Sequence, residues 1–173
     1  QTALMRELPG IKKQQLCSQR FWDHMDIIDI SVAKKIWGNI ISNVIRKENI
    51  DISKVSYDST NFYTFINTFN VRNTLGKRGK NKQGRSNLRQ VSYALFCTKA
   101  GIPLYYDVYE GNKNDAKVFP EQLKNFKNFL KTQFSVEEVS PSSVTLIFDK
   151  GNNSKDNFEK LEASRMNFIG SLK

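Results

Sequence analysis

A mixed α/β domain, with helices leading into the order β-β-β-α-β-α-β, is the fold class that this 173-residue sequence predicts. Three observations predict it. Residues 54–65 (KVSYDSTNFYTF), 89–98 (RQVSYALFCT) and 102–110 (IPLYYDVYE) are rich in β-branched and aromatic residues, as strands are. The last two runs are joined by Lys99-Ala100-Gly101, a short Gly-containing link that reads as an antiparallel hairpin. Beyond them, helical periodicities alternate with two more strand-like runs, so a meander passes into α/β units and implies a mixed sheet with helices on its faces.

Taken in order, residues 1–50 read as a helical lead-in and residues 51–173 as the core. From Ser31, the positions Val32, Ile36, Trp37, Ile40, Ile41, Val44 and Ile45 form one stripe of a helix. Asp29 or Ser31 can cap its start, and Arg46-Lys47 suit the negative end of its dipole. A shorter helix over residues 19–28 places Phe21, Trp22, Met25 and Ile28 as packing residues, with the single histidine, His24, on the surface or in packing contacts. After the three strands, Asp115 is placed to cap a helix over residues 116–133, with Phe119, Leu123, Phe126 and Leu130 at helical spacing. Residues 144–149 (VTLIFD) read as a buried strand, apolar on both faces. A helix to Arg165, starting at Ser154 or Lys155, follows with Phe158 and Leu161 inward, and residues 167–172 (NFIGSL) read as the last strand.

With 39% hydrophobic and 12% aromatic residues, the chain is too apolar for a disordered tail and too mixed for a membrane span. The opening residues lack the basic-then-apolar order of a signal peptide. An initial Gln in place of Met reads as a fragment or a processed chain. Cys17 and Cys97 have no metal-ligand spacing, which suits reduced thiols and a cytoplasmic protein. The net charge of +10 makes a polyanion, above all nucleic acid, the expected partner.

Two acids break the strand patterns. Asp58 sits inside the first strand, where a buried charge needs water, a partner or a metal, and Asp149 ends the fourth. If those strands are parallel neighbours, both carboxylates reach one sheet edge and suit a hard divalent ion such as Mg²⁺. Two such ions can serve phosphoryl transfer. The alternative is that Asp58 accepts backbone hydrogen bonds in a bulge while Asp149 caps a turn. Residues 76–90 (GKRGKNKQGRSNLRQ) favour the first reading, because they carry Lys77, Arg78, Lys80, Lys82, Arg85 and Arg89 and no acid. Such a loop suits a phosphate backbone.

The motifs DSTNFYTF, GKNKQGRSNLRQV (Gly79 to Val91), GIPLYYDVYEGNKND and FDKGNNSKDNFEKLE, in that order over most of the chain, resemble the catalytic domain of bacterial insertion-sequence DDE transposases of the IS-four superfamily. RFWDHMD resembles their helical lead-in. The resemblance implies a ribonuclease H-like mixed sheet, Asp58 and Asp149 as the first two catalytic acids and metal ligands, and two Mg²⁺ (or Mn²⁺) ions. It also implies DNA partners, namely terminal inverted repeats and target DNA, a homodimer in the intact enzyme, and a nucleoid-associated place in the cytoplasm. Asp149-Lys150-Gly151 meets the Asp-(Arg/Lys)-Gly pattern, which puts Lys150 with the DNA-contacting cations. Asp115 matches a recurrent family position and reads as a helix cap and loop organiser. Asn81 and Asn87 stand where relatives carry Ser and Asp. The family's third acid, a glutamate on a later helix, is expected beyond Lys173, and Glu159 and Glu162 do not match its signature, so this core reads as incomplete at its C-terminus and the fragment as inactive. Two other readings are a ribonuclease H-like nuclease outside transposition and a basic DNA-binding module without catalysis.

Overall fold

The computed structural model describes residue 10 and residues 17–67, 69–79, 84–85 and 87–170. The chain divides into two compact units, residues 1–40 and 41–173. In the first, helix α1 (Ser18–Met25) carries His24 at an exposed position, and helix α2 (Ile30–Lys47) begins there and continues into the second unit. Of the two proposed caps for α2, Asp29 is the one used: its Oδ1 accepts from the amides of Ser31 and Val32 at 2.7 and 2.9 Å. No described helix is long and apolar enough to cross a membrane.

Among the described residues the second unit has six strands: β1 (Lys54–Thr64), β2 (Lys77–Arg78), β3 (Arg89–Thr98), β4 (Pro103–Glu110), β5 (Thr145–Phe148) and β6 (Asn167–Gly170). β1 runs antiparallel to β3, and β3 antiparallel to β4; β5 is parallel to β1, and β6 parallel to β5. The sheet is therefore mixed, as expected, with β4 and the short β2 sharing the side of β3 away from β1. β2 is an addition to the predicted order. It lies within the basic segment, so that segment begins as a paired edge rather than as open loop.

Helices α3 (Asp115–Gln133) and α4 (Lys155–Ser164) make the two crossovers, from β4 to β5 and from β5 to β6. Alternation along β1 turns Val55, Tyr57 and Ser59 inward and Ser56, Asp58 and Thr60 outward. The inward face meets α3 in an aromatic core: Phe126 stacks on Phe96 with centroids 4.3 Å apart, and Phe119 packs edge-on against Tyr57 at 5.0 Å. Phe148 of β5 reaches Phe119, and Phe158 and Phe168 close the far side. Leu161 of α4 is fully buried, while Phe158 is half-buried.

The expected cap of α3 shifts by one residue. Asn114 is the N-cap, its Oδ1 accepting from the Lys117 amide, and Asp115 lies inside the first turn. Ser154 caps α4 by accepting from the Asn157 amide at 3.2 Å. At the other end of α3, Arg46 donates to the carbonyl of Gln133 at 2.7 Å, satisfying a helix-end acceptor, and pairs with Glu138 through two further bonds of 2.6 and 3.2 Å.

The Arg46 hydrogen bond, followed by the Ser135 amide, pulls the Glu138 carboxyl from 4.5 down to about 2. A folded-state pKa below the unfolded value gives stability that is present above about pH 4.5 and lost as the pH falls through about 2. Replacing Glu138 by Gln is therefore expected to lower the melting temperature at pH 7. The gap from the parent chain should close between pH 4.5 and 2, and thermal melts of both proteins across that range check it. A gap unchanged at pH 2 would mean that the ion pair contributes nothing.

Candidate active site

The parallel ladder between β1 and β5 ends with Tyr57 opposite Phe148, so the next residues in each chain, Asp58 and Asp149, occupy adjacent positions. Strand spacing puts their backbones about 5 Å apart. Tyr57 and Phe148 are both buried while Asp58 and Asp149 are both exposed, so the two acids come side by side in solvent where β5 ends. Asp58 is thus not the buried acid that its strand context suggested.

Local chain geometry fixes one oxygen of each carboxylate. Asp58 Oδ1 accepts from the Ser59 amide at 2.8 Å. Asp149 Oδ1 accepts from the Gly151 amide at 3.0 Å and from Asn152 Nδ2 at 3.3 Å, capping the 3₁₀ turn Lys150–Asn152. Gly151 lies in this tight turn without a left-handed φ; what glycine supplies is room, since a Cβ there would sit 3.1 Å from Asp149 Oδ1. Among the described residues nothing donates a hydrogen bond to the Oδ2 atom of either acid, and no cation pairs with either.

Both acids line a cavity of 250 Å³ together with Ser59, Asn114, Asp115, Ala116, Gly151 and Asn152. Asp115 accepts the Tyr109 hydroxyl at 2.7 Å, which fixes it on the far wall. The negative field is felt nearby: burial first, then Asp115, Asp58, Asp107 and Asp149, push the Tyr57 hydroxyl far above its ordinary pKa. A second cavity of 260 Å³, lined by Asn61, Gly111, Asn112, Lys113, Asn114 and Asp115, adjoins the first through Asn114 and Asp115.

Two residues that sequence reasoning passed over hold this arrangement. Pro120 lies inside α3 and has no amide hydrogen, so the carbonyl of Ala116 loses its helical donor. Asn157, buried on α4, supplies the replacement: its Nδ2 donates to Ala116 O at 3.1 Å and to Asn152 O at 2.8 Å. One side chain thereby ties together two residues of the cavity wall. A proline in a helical pattern was the only signal, and it does not say which side chain repairs the helix.

The basic segment is anchored beside the same edge. Gly79 packs where a Cβ would lie 2.5 Å from Gly111 O, and Gln90 Nε2 donates to that carbonyl at 2.6 Å. Lys77 is half-buried and Arg78 exposed on β2. Arg85 lies over the Tyr63 ring, 4.9 Å from its centroid, and Arg89 donates to the carbonyls of Asn70 and Asn73, so its guanidinium holds the preceding loop. Lys80 and Lys82 lie outside the described residues. Lys150 is exposed beside Asp149.

The donor set suits a hard divalent cation: carboxylate and amide oxygens, two carboxylate oxygens without partners, and one buried amide oxygen, Asn152 Oδ1, that also has none. Among the described residues no three His, Cys, Asp or Glu side chains gather closely enough to hold a metal. Mg²⁺ commonly takes only one or two protein carboxylates and keeps several waters.

No family model matches the chain, and no curated protein matches it. Among solved structures it is similar to the catalytic domain of Mos1 mariner transposase, with 12% identity and a TM-score of 0.45, covering 79% of this chain and 58% of that one. The same domain solved with raltegravir and Mn gives 13% identity and a TM-score of 0.46, covering 79% of this chain and 57% of that one. A pre-cleavage Mos1 transpososome gives 13% identity and a TM-score of 0.47, with 95% of this chain and 48% of that chain covered. This chain spans about half the length of these neighbours, and the likeness is one of fold alone.

Proposed function

We propose that this chain carries the first two acids of a DDE-type transposase active site of the IS-four kind, with Asp58 and Asp149 as ligands for Mg²⁺ or Mn²⁺. The observation that carries the reading is the parallel register of β1 and β5, which sets two unpaired carboxylates side by side at the lip of one cavity. Bound there, divalent ions would acidify a water or a DNA 3′-hydroxyl and stabilise charge building on a phosphodiester. The chain's own residues do the positioning. The backbone amides of Ser59 and Gly151 hold one oxygen of each acid, so that each carboxylate would be steadied as a ligand should an ion bind.

The substrate is DNA at the terminal repeats of a mobile element, and a second DNA serves as target. Lys77, Arg78, Lys80, Lys82, Arg85, Arg89 and Lys150 form the cationic track for its backbone. Arg89 acts partly by holding the loop on which the track is built. Work on paired ends calls for a dimer, and a bacterial nucleoid is the place of action.

Cleavage assays on the full-length protein test the reading. Duplexes ending in the element's terminal repeat should be nicked with Mg²⁺ or Mn²⁺, and unrelated duplexes much less. Asp58→Asn and Asp149→Asn should each remove activity. Equal cleavage of unrelated DNA would point to a nuclease outside transposition, and undiminished activity in both variants would overturn the site.

A further inference from the structure

We infer that the 260 Å³ cavity beside the acid pair receives a single unstacked nucleobase of the DNA, and that the side-chain amides of Asn61 and Asn112 read it. This rests on the reading of Asp58 and Asp149 as a site that acts on DNA. The cavity shares Asn114 and Asp115 with the one that holds both acids. Another part of its wall, Gly111 and Asn112, is where the basic segment packs: a Cβ on Gly79 would lie 2.5 Å from Gly111 O and 3.1 Å from Asn112 Cα. A strand running from the acids to Lys77 and Arg78 therefore passes this cavity.

The lining favours a neutral base over a phosphate. Lys113 is the only cation among the lining residues, and Glu110 lies 3.8 Å from its Nζ. Asp115, held by the Tyr109 hydroxyl at 2.7 Å, adds an acid to the same wall, so an anion gains little there. Side-chain amides set a donor beside an acceptor, which matches a base edge; asparagine meets adenine N6 and N7 in this way. Asn114 spends its Oδ1 on capping α3, but the amides of Asn61 and Asn112 make no hydrogen bond among the described residues. At 260 Å³ the space falls below the roughly 300–1,000 Å³ of pockets for drug-sized ligands, as one base requires.

Both amides sit on fixed backbone. Asn61 belongs to β1, the strand of Asp58, and pairs in register with Ser92. The loop that carries Asn112 is clamped at Gly111, whose carbonyl accepts from Gln90 Nε2 at 2.6 Å and whose amide donates to Leu75 O at 3.3 Å. Such placement lets a contact discriminate between bases.

The test is cleavage of terminal-repeat duplexes by the full-length protein, with each of the roughly three nucleotides on either side of the cut replaced in turn by an abasic one. At one position the parent should slow about tenfold, and Asn61→Ala and Asn112→Ala should each slow by a similar factor on intact DNA. On that abasic duplex the two variants should slow by less than about twofold more, because the contact they lack is already gone. Losses that multiply at every position would mark both residues as structural and overturn the inference, as would a parent indifferent to every abasic substitution. Either result leaves the acids in place if Asp58→Asn and Asp149→Asn remove cleavage. Should Asn61→Ala fail to fold, Asn112→Ala, at an exposed loop position, decides alone. A parent that cuts no terminal-repeat DNA overturns this inference together with the reading of the acids.

Discussion

Asparagine in place of Asp149 is expected to lower the chain's affinity for Mn²⁺ more than about a hundredfold, beyond the range seen for outer partners of a metal, while leaving its metal-free melting temperature unchanged or slightly higher. The two effects separate because Asp149 has two oxygens with different tasks. Its Oδ1 holds the 3₁₀ turn through Gly151 N, and an asparagine oxygen accepts the same bond. Its Oδ2 has no partner, and the charge it carries shares one cavity with Asp58 and Asp115 and with no described cation. Removing one of three like charges relieves repulsion and costs no contact. The same substitution at Asp58, where Ser59 N is the only donor among the described residues, should behave alike. Calorimetric titration with Mn²⁺ and thermal melts in chelator check both. A matched fall in stability and affinity would show instead that the acids hold the fold.

The largest effect on stability is expected from Phe126→Ala, at about 4 kcal/mol. Phe126 is fully buried, stacks on Phe96 at 4.3 Å with ring planes 16° apart, and also touches Tyr105 and Phe129. Its loss leaves a cavity between α3 and the meander that rigid neighbours cannot refill. Against a typical stability of about 5–15 kcal/mol, that is a large share, and the melting temperature should fall on the order of 10 °C. Urea denaturation measures it directly. The consequence reaches the site, because α3 delivers Asn114, Asp115 and Ala116 to the cavity wall. Below its lowered melting temperature the variant should still bind Mn²⁺, since Asp58 and Asp149 are placed by the ladder between β1 and β5. A loss of less than about 1 kcal/mol would mean that this layer repacks freely.

Much of the sheet was legible because its strands carry strong local signals. β3 has the bounds that its run of β-branched and aromatic residues predicts, and the parallel pairing of β1 with β5, which the sequence offers only as one arrangement of a mixed sheet, is the one adopted. Shorter features were not. β2 is two residues long and owes its pairing to the Gly79–Gln90–Gly111 contact, which only the folded chain brings together. Asn114 and Asp115 are neighbours of equal capping ability, so the choice between them falls to backbone geometry. Asp58 is solvent-exposed because its sheet face is bare beside it, and alternation alone does not say which face of a sheet is covered. Arg89 looked like a free cation in a basic run, yet loop carbonyls at Asn70 and Asn73 take it up. Asn152 and Asn157 were illegible for the same reason: an amide's partners are chosen through space.

Crystals of the chain grown with Mn²⁺, measured at the manganese absorption edge, test the central claim most directly. The account predicts an anomalous peak bridging Oδ2 of Asp58 and Oδ2 of Asp149, at bond lengths near the roughly 2.1 Å of Mg²⁺–oxygen coordination. An empty cavity, with the two carboxylates turned apart and Mn²⁺ bound only elsewhere, would contradict it.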